Sequence, residues 1–318
     1  MPPESGFHTH GWRDELLERC AGSPPIVTAV VHPCDAVALQ AAVDAAARGL
    51  ITPILVGPEA KIRAAAQSAG LEIAGFRLEA TPHSHAAAAK GVALVRAGEA
   101  QLLMKGSLHT DELMHEVMAA DTGLRTARRI SHVYIMDVPR YPRPLFITDA
   151  AINIAPSLED KRDIVQNAID LAHVFGMSRP RVAILSAVET VNSKLQSTLD
   201  AAALCKMADR GQITGGVLDG PLAFDNAISR EAAAEKGIDS PVAGQADILV
   251  VPDLVAGNIL AKQLTFLAGA DAAGVVVGAR VPIILTSRAD SEESRIASCA
   301  VAVLMVLAGQ RAAQEPRT

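Results

Sequence analysis

Short apolar runs alternate along the chain with longer stretches of helical periodicity. The apolar runs lie at 26–31, 54–56, 102–104, 133–136, 145–148, 182–185, 217–218, 248–251, 275–277 and 283–285. Stretches with apolar residues at helical spacing lie between several of them, for example at 35–48, 59–70, 86–97 and 161–175. Many of the runs are apolar on both faces, which is typical of buried parallel strands. The pattern therefore predicts an α/β fold of mostly parallel sheets covered by helices.

The segment 122–144 interrupts this alternation. It contains three prolines and five arginines, namely Arg125, Arg128, Arg129, Arg140 and Arg143. We interpret it as a crossover between two domains whose charged face borders a cleft. A solvated loop with ordinary surface arginines explains the composition equally well. A second crossover is predicted near 270–274, before the last two strands.

Composition narrows the class of ligand. Of the 318 residues, 50% are hydrophobic but only 3% are aromatic, so the core is expected to consist of Ala, Val, Leu and Ile. The formal net charge is −6 and the sequence pI is about 5.9. Because there is no surplus of basic residues, binding to nucleic acid or to an anionic membrane is not expected. A small phosphorylated ligand, which needs only two or three cations, remains compatible with this charge.

The cysteines and the N-terminus favour a cytoplasmic location. Cys20, Cys34, Cys205 and Cys299 lie far apart without metal-ligand spacing, so we expect reduced core thiols. Residues 1–10 lack the apolar run of a signal peptide. The longest uncharged apolar run, 296–308, is shorter than the roughly 20 residues that a membrane span requires.

Motifs of several common enzyme classes are absent from the sequence. It contains no GxxxxGK[ST] phosphate loop, no GxGxxG dinucleotide motif, no HExxH and no GxSxG. The pairs His8/His10 and His83/His85 have no third ligand at a suitable spacing, so no metal site is predicted.

The most informative segment follows the predicted strand 283–285. Thr286, Ser287 and Arg288 precede a helix that is predicted to begin near residue 291. Asp290 and Glu293 have the spacing of a capping box at its start. A hydroxyl, a guanidinium and the N–H groups of a helix terminus at the carboxyl end of a strand indicate an anion site. Purely local pairing of these side chains is an equally good interpretation.

Three further strand ends carry small and polar residues. The segment 103–110 places a lysine, a glycine and a serine after a strand, and the segment 215–227 is predicted to run from a strand into a turn with Asp225 and Asn226. Taken alone, the segment 215–227 is better explained as a tight loop whose aspartates cap the next helix. In the segment 250–258 a strand ends at Asp253 and a helix is predicted to open near 257–258. Ligands of parallel sheets bind at such carboxyl ends.

The order and spacing of these segments are similar to those of the phosphate acetyl/butyryltransferase family. The resemblance is carried by Met104-Lys-Gly-Ser-Leu-His-Thr110, Asp219-Gly-Pro-Leu-Ala-Phe-Asp-Asn226, Pro252-Asp-Leu-Val-Ala-Gly-Asn258 and Thr286-Ser-Arg-Ala-Asp-Ser291. It implies two α/β/α domains of the isocitrate/isopropylmalate-dehydrogenase type, with a cleft between them, in a homodimer. The first domain is expected to comprise residues 1–124 and 273–318, and the second residues 125–272.

The resemblance also implies a reaction. Acyl-CoA and phosphate are expected to give acyl phosphate and coenzyme A by direct transfer in a ternary complex, with an acetyl or butyryl group and no permanently bound cofactor. Ser287 and Arg288 occupy the positions of the family's active-site serine and arginine. The residues expected to contact coenzyme A or the other substrate are Lys105, Gly106, His109, Thr110, Asp219, Gly220, Pro221, Asp225, Asn226, Asp253 and Asn258.

Two departures from the family pattern concern the catalytic details. Ser294 lies where acetyl-specific relatives have an aspartate that is a candidate base. Asp290 or Glu293 could replace it, although helix capping explains both. The region of His115 lacks an arginine that relatives use for phosphate, for which Arg125, Arg128 or Arg129 are candidates.

Two rival functions remain at this stage. A dehydrogenase of related fold would need divalent metal and NAD, with Asp219, Asp225 and Asp253 as conceivable metal ligands. A non-catalytic sensor of coenzyme A or acyl phosphate is favoured by the serine at position 294.

Overall fold

The computed structural model describes residues 11–286 and 290–314. They form two units, of which one comprises Arg129–Ala272 and the other Arg13–Arg128 together with the residues from Ala273 onward. Residues 125–128 lie with the latter unit because Arg125 forms a β-bridge to Ala279 and the Thr126 hydroxyl donates to the carbonyl of Gly278 at 2.7 Å. The sequence analysis placed this boundary after residue 124.

Strands and helices alternate through most of the chain. The strands are β1 (Ile26–Val31), β2 (Ile51–Gly57), β3 (Arg77–Ala80), β4 (Leu102–Lys105), β5 (Ser131–Asp137), β6 (Leu145–Thr148), β7 (Arg181–Leu185), β8 (Val217–Leu222), β9 (Ile248–Val250), β10 (Asp271–Val277) and β11 (Ile283–Ile284). The helices are α1 (Trp12–Cys20), α2 (Ala36–Ala47), α3 (Glu59–Ala69), α4 (Ser84–Arg96), α5 (Thr110–Met118), α6 (Leu158–Val174), α7 (Gln196–Asp209), α8 (Phe224–Ile228), α9 (Arg230–Glu235), α10 (Leu254–Ala268) and α11 (Glu292–Gln314).

The unit formed by 13–128 and 273–314 has strand order β3-β2-β1-β4-β11-β10. Its pairs are parallel except for β10–β11. The helices fall into two groups, α2 with α3 and α11, and α4 with α5, and both groups contact the strands. The strands β1 and β4 are almost entirely buried, as expected for parallel strands covered by helices.

The unit formed by Arg129–Ala272 has strand order β5-β6-β9-β7-β8. All its pairs are parallel except β5–β6. Its core includes Ile147, Ala183 and Leu249 from the strands, each with no more than 1% of its surface exposed. The prediction of an α/β fold with mostly parallel strands is thus confirmed.

Helix α11 packs most of its apolar length inside its unit. By length and composition it is the helix of the described chain that could cross a membrane, yet over half of its apolar window is buried in the protein. Its residues from Ile296 to Leu304 are all buried. Such burial is the usual situation of a core helix.

Helix α1 belongs to the fold, although the sequence pattern did not predict it. Leu16 and Cys20 are buried, and the Cys20 thiol donates to the carbonyl of Ala300 in α11 at 3.6 Å. The helix was missed because only one of its faces is apolar over just nine residues.

Strand β3 was also missed because its sequence is polar. It pairs only with β2, and Arg77 forms ion pairs with Glu79 and with Glu99 at 2.8 Å. An edge strand with charged side chains lacks the apolar pattern of a buried strand.

Three predicted local structures were wrong. The strand that was expected to stop at Leu218 continues as β8 to Leu222, and Asp225 and Asn226 lie in the short helix α8 rather than in a turn. Helix α10 begins at Leu254, because Asp253 is its N-cap and accepts the Ala256 N–H at 2.9 Å. The expected opening near residues 257–258 therefore lies one turn inside the helix.

We predict that His132 makes the protein sensitive to acid. Its imidazole is 1% exposed, burial lowers its pKa from 6.5 to about 3, and its Nδ1 has no hydrogen-bond partner. In the unfolded chain the ring takes up a proton near its ordinary pKa, so the unfolded state binds more protons below about pH 6.5. The free energy of unfolding should then fall by about 1.4 kcal/mol for each pH unit between roughly 6 and 3.

The measurement is denaturant unfolding of the wild type, His132→Leu and His85→Leu at pH values from 7 to 4. His132→Leu should lose that part of the acid dependence. His85→Leu changes an exposed histidine and should behave as the wild type. Identical pH slopes for all three proteins would contradict this role of His132.

Candidate active site

Three strands of the unit formed by 13–128 and 273–314 end at the same edge of its sheet. The register pairs Val31 of β1 with Lys105 of β4, and Met104 of β4 with Ile284 of β11. Both pairings are parallel, so the loops that follow the three strands lie side by side. This edge is where ligands of parallel sheets bind.

The loop after β4 is held tightly against the end of β1. The Gly106 N–H donates to the carbonyl of Val31 at 2.8 Å, and the Ser107 hydroxyl donates to the carbonyl of His32 at 2.7 Å. The Ser107 oxygen also accepts the N–H of Cys34 at 3.0 Å. A Cβ at position 106 would lie 2.4 Å from the Val31 oxygen, so this approach requires glycine.

Of the side chains that follow β1, those of His32 and Cys34 are uncharged, and that of Asp35 caps a helix. Burial and the nearby Lys61 lower the pKa of His32, so its imidazole is neutral at pH 7. Burial raises the pKa of the Cys34 thiol to about 11, which makes it a poor nucleophile. The Asp35 carboxylate caps α2 by accepting the Ala38 N–H at 2.8 Å.

The other cysteines are also unreactive free thiols. None of the four forms a disulfide, and burial raises the pKa to about 11 for Cys20 and to about 12 for Cys205 and Cys299. All four are free thiols, in agreement with the expectation that they are reduced.

Predicted residues at the start of α5 lie next to this loop. His109 is the N-cap residue but makes no side-chain capping hydrogen bond, and its side chain is exposed. Thr110 is the first residue of the helix. Lys105 donates to the carbonyl of Gly106 at 3.3 Å.

The predicted catalytic residues are described only in part. Ser287 and Arg288 lie outside the described residues. Ser294 lies in the first turn of α11, where its N–H donates to the Ser291 hydroxyl at 3.1 Å. Its own hydroxyl lies 3.3 Å from that of Ser291.

The predicted capping box at Asp290 is displaced by one residue. The helix begins at Glu292, so Ser291 rather than Asp290 is in the N-cap position and accepts the N–H of Ser294. Hydrogen bonds from the backbone and from Ser291 lower the pKa of Glu293. Glu293 was considered either as a helix-capping residue or as a replacement for the missing carboxylate base, and its contacts favour helix capping.

A pocket at this sheet edge contains a residue that the sequence analysis missed. It is lined by Asp35, Val37, Ala38, Ala41, Met104, Lys105, Gly106, Thr286 and Arg295. Arg295 was not predicted because it lies a full turn inside α11, whereas the predicted anion site consisted of residues in the loop after β11. The feature of the sequence that could have revealed it is an arginine close to the start of a helix that is otherwise nearly all apolar.

The unit formed by Arg129–Ala272 contains the other predicted binding residues. Asp219 and Gly220 lie within β8, and the Asp219 carboxylate accepts the N–H of Gly220 at 2.8 Å. A Cβ at Gly220 would lie 2.7 Å from the carbonyl of Ile184 in the neighbouring β7. Pro221 follows through a cis peptide bond and is buried.

Asp225 and Asn226 of α8 differ in accessibility. Asp225 is exposed, whereas Asn226 is fully buried, and neither polar atom of its amide has a hydrogen-bond partner in the described ranges. Asp253 is the N-cap of α10, and the Asn258 amide donates to the carbonyl of Ala150 at 3.4 Å.

Two of the five arginines predicted to border a cleft make structural contacts inside this unit. Arg129 donates to the Asn153 side chain at 2.7 Å, and Arg143 pairs with the buried Asp247 at 2.9 Å. Within the described ranges no group of three or more His, Cys, Asp or Glu side chains is placed to hold a metal ion. This includes the aspartates Asp219, Asp225 and Asp253.

Comparison with known proteins gives a consistent result. Residues 79–303 match the family model described as phosphate acetyl/butaryl transferase. The chain is 67% identical over 301 residues to a phosphate acetyltransferase of Rhizobium meliloti, covering 95% of each chain. It is 43% identical over 292 residues to a phosphate butyryltransferase of Clostridium acetobutylicum, covering 92% of this chain and 97% of the relative.

A solved structure shares both fold and sequence with the chain. It is a branched-chain phosphotransacylase from Enterococcus faecalis V583, which superposes with a TM-score of 0.77 at 32% identity. The match covers 88% of this chain and 99% of that structure. The resemblance noted from the sequence motifs is confirmed, and the chain belongs to the phosphate acetyl/butaryl transferase family.

Proposed function

We propose that this protein is an acyltransferase that converts acyl-CoA and inorganic phosphate into acyl phosphate and coenzyme A. The family match over residues 79–303 carries the proposal. The 67% identity to a phosphate acetyltransferase over 95% of both chains supports it. The polar strand-end loops around Lys105 and Thr286 supply the kind of anion site that the reaction needs.

The reaction requires stabilisation of charge rather than a covalent enzyme intermediate. In one direction a phosphate oxygen attacks the thioester carbonyl and the coenzyme A thiolate leaves; in the other, the thiolate attacks and phosphate leaves. Both pass through a tetrahedral oxyanion, which preorganised donors stabilise. The raised pKa values of the cysteines support direct transfer in a ternary complex.

The site residues are assigned from the family motif. Arg288 would neutralise the phosphate by paired hydrogen bonds, and Ser287 would donate to the oxyanion or to the sulfur. Ser294 stands in place of a carboxylate base. The contacts to coenzyme A and the second substrate are assigned to the motif residues around Lys105, Asp219 and Asp253.

We also propose that the protein works in the cytoplasm as a homodimer. Helix α10 carries large apolar side chains on its surface, with Phe266 70% and Leu267 83% exposed in the single chain, together with the exposed Val255 and Ile259. Val255, Ile259 and Phe266 recur at helical spacing and share one face of the helix. Exposed apolar surface of this kind is typical of protein interfaces.

The test of the proposed reaction is release of free thiol from acetyl-, propionyl- and butyryl-CoA with increasing phosphate, without metal or nicotinamide. We expect release that saturates with phosphate, and the ranking of the three substrates gives the acyl-chain preference. Measurable binding of coenzyme A without any release would instead support a sensor. Release that needs metal and NAD would favour a dehydrogenase.

Replacing Arg288 by alanine should lower turnover about 10²–10³-fold, because a transition-state donor of this type contributes that factor. The steady-state rate constants with acetyl-CoA and phosphate provide the measurement. Arg311→Ala, at an exposed position of α11, is the control and should keep wild-type rates. Normal turnover in the Arg288 variant would remove this residue from the site.

The variant Phe266→Asp should shift the protein from dimer to monomer, because it places a charge in the proposed apolar interface. Light scattering after size-exclusion chromatography at several concentrations measures the mass. Val191→Asp changes a residue that is 58% exposed outside α10 and should leave the mass unchanged. A dimer that persists in the Phe266 variant would exclude this face.

A further inference from the structure

The guanidinium of Arg295 uses only some of its hydrogen-bond donors within the described residues. Its Nη1 donates to the carbonyl of Asp290 at 2.5 Å, and its backbone N–H continues the helix by donating to Ser291. Its Nε is buried and has no hydrogen-bond partner among the residues that the structure describes. A buried donor on a charged group that remains unpaired costs free energy, so a ligand is expected to meet it.

The guanidinium lines the pocket at the ends of β4 and β11. The pocket has an empty volume of about 320 Å³, which includes its open mouth. Lys105 and Thr286 lie in the same lining, as does the first turn of α2 through Val37 and Ala38. Two cations, a hydroxyl and a helix N-terminus in one small pocket are suited to an oxyanion.

Asp35 is the acidic group in this lining, and it restricts which oxyanion fits. One of its carboxylate oxygens accepts the Ala38 N–H, and within the described part of the chain the other accepts no hydrogen bond. An ionised carboxylate can only accept hydrogen bonds. An oxyanion beside it is favoured if it carries a proton, which hydrogen phosphate does at neutral pH and sulfate does not.

We propose that Arg295 contacts the inorganic phosphate substrate, with Lys105, in this pocket. The inference rests on the proposed phosphate acyltransferase function and adds a residue to its phosphate site. The three arginine nitrogens suit this role because a guanidinium can keep Nη1 on the Asp290 carbonyl while Nε and Nη2 face the phosphate. The carboxylate of Asp35 accepts a hydrogen bond from the P–OH group of the phosphate, which keeps its proton.

Coenzyme A carries phosphate groups as well, so the source of the anion must be distinguished. The assays should therefore measure the KM for phosphate and the KM for acyl-CoA separately. They should be accompanied by thermal unfolding of the full-length protein with phosphate, with sulfate or with coenzyme A. Unfolding does not depend on turnover, and a ligand that binds only the folded state raises the midpoint.

The variants are Arg295→Met, which removes the charge at similar length, and Arg295→Lys, which keeps the charge without the planar fork. Arg48→Met is the matched control, because Arg48 also reaches the start of α11, through Glu292 at 3.3 Å, but is largely exposed. Asp35→Asn tests the carboxylate, since asparagine caps a helix as well as aspartate does.

We expect Arg295→Met to raise the KM for phosphate about tenfold to a hundredfold, the loss typical of a hydrogen bond to a charged group. The KM for acyl-CoA should stay within about twofold. Phosphate should stabilise the wild type and Arg48→Met but not Arg295→Met, with Arg295→Lys between them. Sulfate should stabilise Asp35→Asn more than the wild type.

Other outcomes would overturn the proposal. An unchanged KM for phosphate in Arg295→Met would exclude the contact, and an equal change in both KM values or in kcat alone would indicate that Arg295 only supports the loop at Asp290. A loss of stabilisation by coenzyme A, but not by phosphate, would place a coenzyme phosphate there instead. If the wild type binds phosphate at Arg295 but transfers no acyl group, the proposed function fails while the subsite stands.

Discussion

In the unit formed by 13–128 and 273–314, the contact between the Gly106 backbone and the end of β1 determines where the polar side chains beside this glycine lie. The Gly106 N–H meets the carbonyl of Val31, and a Cβ at this position would be only 2.6 Å from the carbonyl of His32. Such proximity fixes the turn after β4 with little freedom. Lys105 on one side of the glycine and Ser107 on the other are placed by the same contact.

The second unit uses the same kind of contact at two places. A Cβ at Gly257 in the first turn of α10 would lie 2.8 Å from the carbonyl of Asp149, the residue that follows β6. A Cβ at Gly220 in β8 would lie 2.7 Å from the carbonyl of Ile184 in β7. Glycines therefore bring the backbones of neighbouring elements close together, and polar groups beside them are held by rigid elements rather than by free loops. Rigid placement is what a site that must hold charge in a fixed position requires.

The sequence allowed prediction of the strands and the strand ends but not of every local structure around them. Apolar runs such as 26–31 are bounded by turn residues, so both their existence and their ends are local signals. The continuation of β8 through Asp219 and Gly220 is not local, because it depends on pairing with β7 through a shift in register between Ala183 and Leu185. The family motif, in contrast, assigns a binding role to these residues without depending on their secondary structure, and that assignment stays a prediction.

Arg295 was missed for a different physical reason. Helix α11 is buried at every residue from Ile296 to Leu304, so its sequence has no clear apolar face from which the direction of a neighbouring side chain can be read. Only the three-dimensional structure shows that this arginine lines the pocket at the strand ends.

The start of α11 combines two features that change the charge near this pocket. The acidic groups there serve the helix, since Glu293 is hydrogen-bonded at the N-terminus and Glu292 pairs with Arg48. Position 294, where acetyl-specific relatives have an aspartate, is a serine bonded to Ser291, and the next residue is Arg295. Compared with an aspartate at that position, the serine removes one negative charge next to an arginine whose Nε is unpaired. Under the proposed function, both features favour tight binding of phosphate at the start of this helix over the placement of a carboxylate base there. Positive charge that attracts an oxyanion also lowers the pKa of a nearby carboxylate, so such a carboxylate would take up a proton less readily.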